Sequence, residues 1–176
     1  MRRPLALIAA HDEQRVIGHR GRIPWHCPAD MRFFRRTTLH HAVIMGRATY
    51  ESLNKPLAKR HNIVLTRRRD YQAPGCRVCA DLDDALAAAY ALDPEPFIIG
   101  GAELYRMTLP VATTLYITLI PGTHPGDTYF PPYEDDFAVE ERTQEDGLIF
   151  LTLHRRAQEL DRDVDRATSG PLGDTT

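Results

Sequence analysis

The stretch FIIGGAELY, residues 97–105, runs an unbroken apolar segment into two glycines and then into residues that favour a helix. Short unbroken apolar runs suit strands buried on both faces of a mostly parallel sheet. A strand that meets a helix through glycines lets a phosphate approach the backbone N–H groups at the helix N-terminus. The stretch is not GxGxxG, so a Rossmann fingerprint is absent. Standing alone, the glycine pair serves equally well as a tight turn. Upstream, VIMGRATYESL (43–53) repeats the design, with a strand, then Gly46 and Arg47, then a helix expected to start at Thr49 as N-cap. In a parallel sheet both junctions fall at the carboxyl edge, and two such sites suit a dinucleotide's diphosphate.

Outward from these junctions the pattern continues. PLALIAA (4–10) and NIVLT (62–66) are further short apolar runs. Helices are expected over 28–38, with Pro28 at the first helical position, over 81–92 after capping aspartates, and over 102–109. Beyond Pro110 the strands lengthen, at 114–120, 137–144 and 148–156, and EDG (145–147) turns the last two into an antiparallel hairpin. The expectation is an α/β fold in one domain, with a mostly parallel sheet and an antiparallel C-terminal edge. A length of 176 residues agrees with one domain. Residues 157–176 are polar, end in Ser, Gly, Pro and Thr, and read as a flexible extension.

Several functions are disfavoured. Apolar residues make up 43% and charged residues 26%, and the formal net charge of −2 argues against nucleic-acid or membrane-surface binding. The apolar run after Arg2 and Arg3 ends at His11 and Asp12, too short for a secretory signal, and nothing approaches a membrane span. A cytoplasmic protein is expected. Cys76 and Cys79 form a CxxC, but on a strand they point to opposite faces, and Cys27 stands apart. DRDVDR (161–166) opens like a calcium loop but lacks the required Gly and Glu. No HxxxH, HExxH or nucleophile elbow occurs, so no metal site is expected.

Asp30 poses the sharper question. It sits in the first turn of the expected helix, where an anion complements the helix dipole by a few tenths of a kcal/mol. Yet Phe34 shares its face, Phe33 adjoins it, and Trp25 is near. Aromatic neighbours desolvate a carboxylate and raise its pKa. Such a group suits a planar, amidine-like partner that donates two parallel hydrogen bonds, as a pterin does. Arg67, Arg68 and Arg69 follow a strand end directly. They read as a solvated turn or, beside two phosphate-type junctions, as selectors of a 2′-phosphate, hence of NADP over NAD.

VIG (16–18), PW (24–25), PADMRFF (28–34), VIMGRATYESL (43–53), IIGGAELY (98–105) and GDTYFP (126–131) follow one another in an order and spacing that resemble bacterial dihydrofolate reductase, over roughly residues 4 to 155. The resemblance implies one domain over 1–156, with an eight-stranded sheet flanked by four helices. It implies NADPH-dependent hydride transfer to 7,8-dihydrofolate, giving tetrahydrofolate for one-carbon metabolism. The implied catalytic positions are Asp30, Thr118, Trp25 and Tyr105. Asp30 is the pocket carboxylate that orients the pterin, and Thr118 shares its water-linked network. Ile8, Ala10, Phe34, Leu53, Leu57 and Ile99 match walls of the folate pocket, and Arg60 matches the partner of the glutamate α-carboxylate.

The implied cofactor positions begin with Ala9, Ile17, Gly18 and Ile23. They continue through Gly46, Arg47, Ala48 and Thr49, then Leu65, Thr66, Arg67 and Arg68. They end with Ile99, Gly100, Gly101, Ala102, Glu103, Leu104 and Tyr105. The family's Gly100–Gly101 bond is cis. Antifolates such as diaminopyrimidines and methotrexate are implied ligands, and a monomer is expected. Ile23 stands where Met or Leu is usual, Tyr50 where Trp is common, and HDEQ (11–14) opens the mobile loop with unusual charge. A related reductase of riboflavin synthesis would lack use for Asp30, Phe34 and Arg60 together. A folate-binding module without turnover would not need Asp30.

Overall fold

The computed structural model describes residues 1–157. The extension expected beyond residue 156 therefore lies, apart from Ala157, outside the described residues, as does DRDVDR.

The first strand, β1 (Ala6–His11), leads into the short β2 (Val16–Gly18) and then α1 (Pro28–Thr38), whose start is set by Pro28. Next come β3 (Ala42–Gly46), α2 (Arg47–Leu53), β4 (His61–Leu65) and β5 (Arg77–Cys79). Helix α3 (Leu82–Tyr90) is capped by Asp81, whose carboxylate accepts from the Asp84 amide at 2.9 Å. It is followed by β6 (Phe97–Ile98), α4 (Ala102–Thr108) and β7 (Thr114–Leu119). The chain closes with β8 (Thr128–Tyr129), β9 (Phe137–Glu145) and β10 (Leu148–Arg155). Asp146 and Gly147 take positive φ (51° and 78°) in the turn of the β9–β10 hairpin.

Eight strands form one sheet in the order β5-β4-β3-β6-β1-β7-β10-β9, and β2 pairs with β8 in a separate ribbon. Within the large sheet only the β7–β10 and β10–β9 pairings are antiparallel, so the antiparallel edge is made by β10, inserted between β7 and the edge strand β9. Alternation along β1 divides the core. Leu7, with Leu5 just before the strand, packs with α3 and α4 through Ala85, Ala88 and Leu104 and with Leu109 just after α4, while Ala6 and Ile8 face Phe34 of α1 and Leu53 of α2. Strand β6 lies between β3 and β1, so the ends of β3 and β6 are neighbours, joined by the Gly46 amide donating to the Gly100 carbonyl at 2.8 Å.

Two local features differ from the sequence reading. Helix α2 starts at Arg47 with Gly46 as N-cap, not at Thr49, because Gly46 has the extended conformation a cap needs (φ −73°, ψ 160°). The β2–β8 ribbon was not expected, since segments of two or three residues carry no readable alternation. Cys27, Cys76 and Cys79 are all free.

Candidate active site

Helix α1 sets out the substrate side of the site. Asp30, Phe34 and Thr38 recur every four residues, so they stack along one face. The Asp30 carboxyl is pushed above the ordinary aspartate value of 3.8, chiefly by burial, and the nearby Thr118 hydroxyl pulls it part of the way back. Among the described residues that hydroxyl has no hydrogen-bond partner of full geometry, although it is buried. Thr118 sits on β7 directly beside Ala10 of β1, which brings the two pocket strands under Asp30. Asp30 is also felt by Cys27 and Tyr105, whose pKa values rise first through burial and then through this charge.

At the other end of the same face lies Arg60. Its guanidinium donates from Nε to the Ala58 carbonyl (3.0 Å) and from Nη1 to the Thr38 hydroxyl (3.1 Å), and stands 6.0 Å from the centre of the Phe34 ring. Burial and Arg35 lower its pKa, and among the described residues it has no carboxylate partner. From Asp30 to Thr38 the helix rises ~12 Å. The face thus begins at an under-solvated carboxylate and ends at an unpaired guanidinium. Between them Ile8, Phe34, Leu53, Leu57 and Ile99 belong to one apolar cluster, while Ala10 and Trp25 belong to a second beside Ala29 and Phe33.

Tyr105 approaches from the opposite face of the sheet, and its hydroxyl donates to the Ile8 carbonyl at 2.6 Å. Trp25 meets the His124 ring edge-on at 5.1 Å. Ile23 is 67% exposed on the loop before it.

The glycine junctions lie at the carboxyl edge. Neither α2, capped by Gly46, nor α4, capped by Gly101, has a side-chain cap, so their first N–H groups remain available to an anion. The Gly100–Gly101 peptide is cis, and Gly100 holds φ +126°, which a side chain rarely adopts. A Cβ built on Gly100 would lie 3.4 Å from both the Thr49 and Tyr105 hydroxyls. Ala48 and Ala102 sit in the first turns, and Thr66 is buried at the end of β4, its hydroxyl accepting from the Arg68 amide at 3.2 Å. Ala9, Ile17 and Leu65 are half-buried against the α3–α4 core, in which Leu104 is fully packed.

The arginine cluster is divided. Nη1 of Arg47 donates to both oxygens of Glu51 (2.9 and 2.8 Å), and Glu51 also accepts from the Tyr71 hydroxyl at 3.3 Å and feels Arg68. Arg67 instead acts on Glu103, which pairs with Arg106. Glu51 was missed in the sequence, although its i,i+4 spacing from Arg47 is a readable signal.

Asp12 was also missed. Its covered carboxylate accepts from the amides of Gln14 (2.9 Å), Val16 (2.9 Å) and His124 (2.7 Å), and His124 Nδ1 lies 3.1 Å away. Asp127 does similar work nearby, accepting from the Arg20 amide at 2.9 Å. Together they tie the loop carrying Ile23 and Trp25 to the segment around residues 124–127. A cavity of about 520 Å³ near His11, Tyr133 and Leu151 contains none of the candidate residues. Among the described residues, no cluster of His, Cys, Asp and Glu could hold a metal, and no helix is long and apolar enough to cross a membrane.

The family model for dihydrofolate reductase matches residues 4–148. The chain belongs to the dihydrofolate reductase family. It is 46% identical over 129 residues to dihydrofolate reductase type 3 of Salmonella typhimurium, covering 73% of this chain and 79% of that one. It is 40% identical over 160 residues to dihydrofolate reductase of Staphylococcus aureus, covering 86% and 98%. The structure of dihydrofolate reductase from Enterococcus faecalis complexed with NADP(H) and RAB-propyl superposes with a TM-score of 0.81 at 35% identity, covering 89% of this chain and 99% of that one. The fold of this family member is the one its sequence implied.

Proposed function

We infer that this dihydrofolate reductase family member reduces 7,8-dihydrofolate to tetrahydrofolate with NADPH, which supplies the hydride when bound, and so serves one-carbon metabolism. The observation that carries the reading is the face of α1 that starts at Asp30 and ends where Thr38 holds Arg60. Asp30 accepts two parallel N–H bonds from the pterin's ring N–H and 2-amino group. Its charge makes the ring more basic without touching N5, and the proton arrives through water. The unpartnered Thr118 hydroxyl completes that polar network. Ile8, Ala10, Phe34, Leu53, Leu57 and Ile99 exclude water around the ring and tail. Arg60 pairs with the glutamate α-carboxylate, the partner its free donors require. Trp25 closes the site from the loop side, and Tyr105 positions the Ile8 backbone.

The residues at the carboxyl edge fit a dinucleotide, because two helix starts without side-chain caps stand on neighbouring strands. Gly46, Ala48, Thr49, Gly100, Gly101 and Ala102 would hold the diphosphate there. Arg47, Thr66, Arg67 and Arg68 would hold the 2′-phosphate, with Leu65, Glu103 and Leu104 beside the adenosine half. Ala9, Ile17, Gly18, Ile23, Ile99 and Tyr105 would line the nicotinamide half. Diaminopyrimidines and methotrexate offer Asp30 the same pair of donors as the pterin, and we propose both as inhibitors. We also propose a cytoplasmic monomer with one reductase domain over 1–156, since all these residues come from one chain. The test is the loss of NADPH absorbance on adding dihydrofolate, with tetrahydrofolate as product. Binding of both ligands without turnover would leave only a binding module.

A further inference from the structure

The cavity of about 520 Å³ near His11 and Tyr133 lies on the α3–α4 side of the sheet, away from the face of α1. Its size falls within the range of small-molecule pockets, ~300–1,000 Å³. Its floor is apolar. Leu119 of β7, Leu151 and Leu153 of β10, and Phe137 and Val139 of β9 supply it. The connection between β8 and β9, not a helix, covers part of it through Tyr133 and Glu134. Val139 stays 53% exposed on this floor, so apolar surface is left open.

The polar groups around the floor divide into those already engaged and those with unused donors. His11 donates from Nδ1 to the Asp12 carbonyl at 2.7 Å and accepts at Nε2 from the Tyr133 hydroxyl at 2.9 Å. Burial lowers the His11 pKa and favours the neutral ring that this arrangement needs. The acids are held by main-chain amides. Asp12 is saturated, Glu13 accepts from the Gly122 amide at 3.2 Å, and Glu134 from the Tyr133 amide at 3.0 Å. The guanidiniums are not matched in this way. Arg15 donates only from Nε, to the Phe130 carbonyl at 3.2 Å. Arg156 lines the cavity just after β10, and Arg142 pairs across from Leu151, which places it on the floor's face. Among the described residues the arginines in ion pairs are Arg32, Arg36, Arg47 and Arg106, so these three stand outside any ion pair.

We propose that this cavity binds an amphipathic organic anion, an alkyl or aryl monocarboxylate, with its apolar body on the β7–β10–β9 floor and its head on Arg156 and Arg15. An apolar floor rimmed by guanidiniums with free donors fits that chemistry, since a carboxylate matches the guanidinium fork and the body covers Val139. The site stands apart from Arg60 and the folate face, so it does not depend on the reductase reading, and the anion binds alongside the substrate. Because the head stays partly solvated, salt weakens its share of the attraction.

The experiment is calorimetric titration of the full chain with octanoate and with uncharged octanamide, at low and high salt. Octanoate is expected to bind roughly tenfold more tightly than octanamide at low salt, with most of the difference gone at high salt. Arg156→Gln is expected to remove most of that difference, and Val139→Asp to weaken both probes roughly fivefold or more. Arg156 and Val139 are exposed, so both variants are expected to fold and to keep the wild-type kcat. Arg60→Ala, on the other side of the sheet, is expected to leave octanoate binding unchanged. No binding of octanoate, equal binding of the two probes, or wild-type affinity in both cavity variants would overturn the proposal. Loss of octanoate binding in Arg60→Ala alone would also overturn it, by placing the anion on the folate face.

Discussion

Asp12 and Asp30 are both carboxylates removed from water, and the chain treats them in opposite ways. Asp12 is 0% exposed, beneath its own loop and the segment around residue 124. Burial alone would raise its pKa, but the donors from Gln14, Val16 and His124 outweigh that and hold it below 3.8. Asp30 is half-buried with only the incomplete help of Thr118, and desolvation wins. A carboxylate whose lone pairs are saturated by amides is a structural tie. One that is desolvated and short of donors is waiting for a ligand.

The largest expected effect that tests this contrast is at Asp30. Asp30→Asn keeps the shape and loses the charge, so kcat near neutral pH is expected to fall roughly 10²–10⁴-fold, the range for a positioned acid–base group. Stability is expected to move the other way. The folded state keeps the Asp30 proton where the unfolded chain has released it, so stability falls as pH rises from 3.8 through the raised folded value. Above that value the cost is constant, and the Asn variant, free of it, should show an equal or higher Tm at neutral pH.

Asp12→Asn should invert the pattern. The pKa of Asp12 is lowered, so its contribution is fully present above 3.8 and is lost as pH falls through the folded value. The variant is expected to lose about 2–4 kcal/mol at neutral pH, through weakened charge-assisted hydrogen bonds. Its acid-unfolding curve should be flatter than the wild type's, with kcat of the folded fraction within severalfold. Denaturant melts across pH measure this.

Arg60→Ala probes the far end of the face that Asp30 begins. Losing one charged hydrogen bond costs about 1.5–3 kcal/mol, or roughly 10- to 150-fold in dihydrofolate KM. A pterin without the glutamate tail should be reduced equally well by variant and wild type. Equal losses for both substrates would separate Arg60 from the tail.

The smallest effect concerns another carboxylate with its partners in place. Glu51 already occupies Arg47, so an incoming 2′-phosphate competes with it. Glu51→Gln is expected to raise the preference for NADPH over NADH roughly two- to fivefold, less at high salt. Comparing kcat/KM for the two cofactors measures it.

Much of this was legible in the sequence because the signals were local. Pro28 and the four-residue spacing of Asp30 and Phe34 gave α1 its observed bounds, and the capping pattern at Asp81 located α3 closely. The glycine junctions gave the carboxyl edge. What stayed hidden depends on distant partners. HDEQ read as an acidic loop opening, yet Asp12 is bound by His124, brought in from beyond β7. His41 and Asp93 meet across two helices and three strands of intervening chain. Gly46 caps α2 without a side chain, so the polar Thr49 drew the start too far along. The site's polar groups were visible as residue types, but which of them lack partners was not.

Hydrogen-bond donors, not burial, separate the two aspartates. Site-specific carboxyl-carbon NMR titration of Asp12 and Asp30 in one ligand-free sample tests it directly. The expected midpoint lies above 3.8 for Asp30 and below 3.8 for Asp12. Midpoints in the reverse order, or both below 3.8, would contradict it.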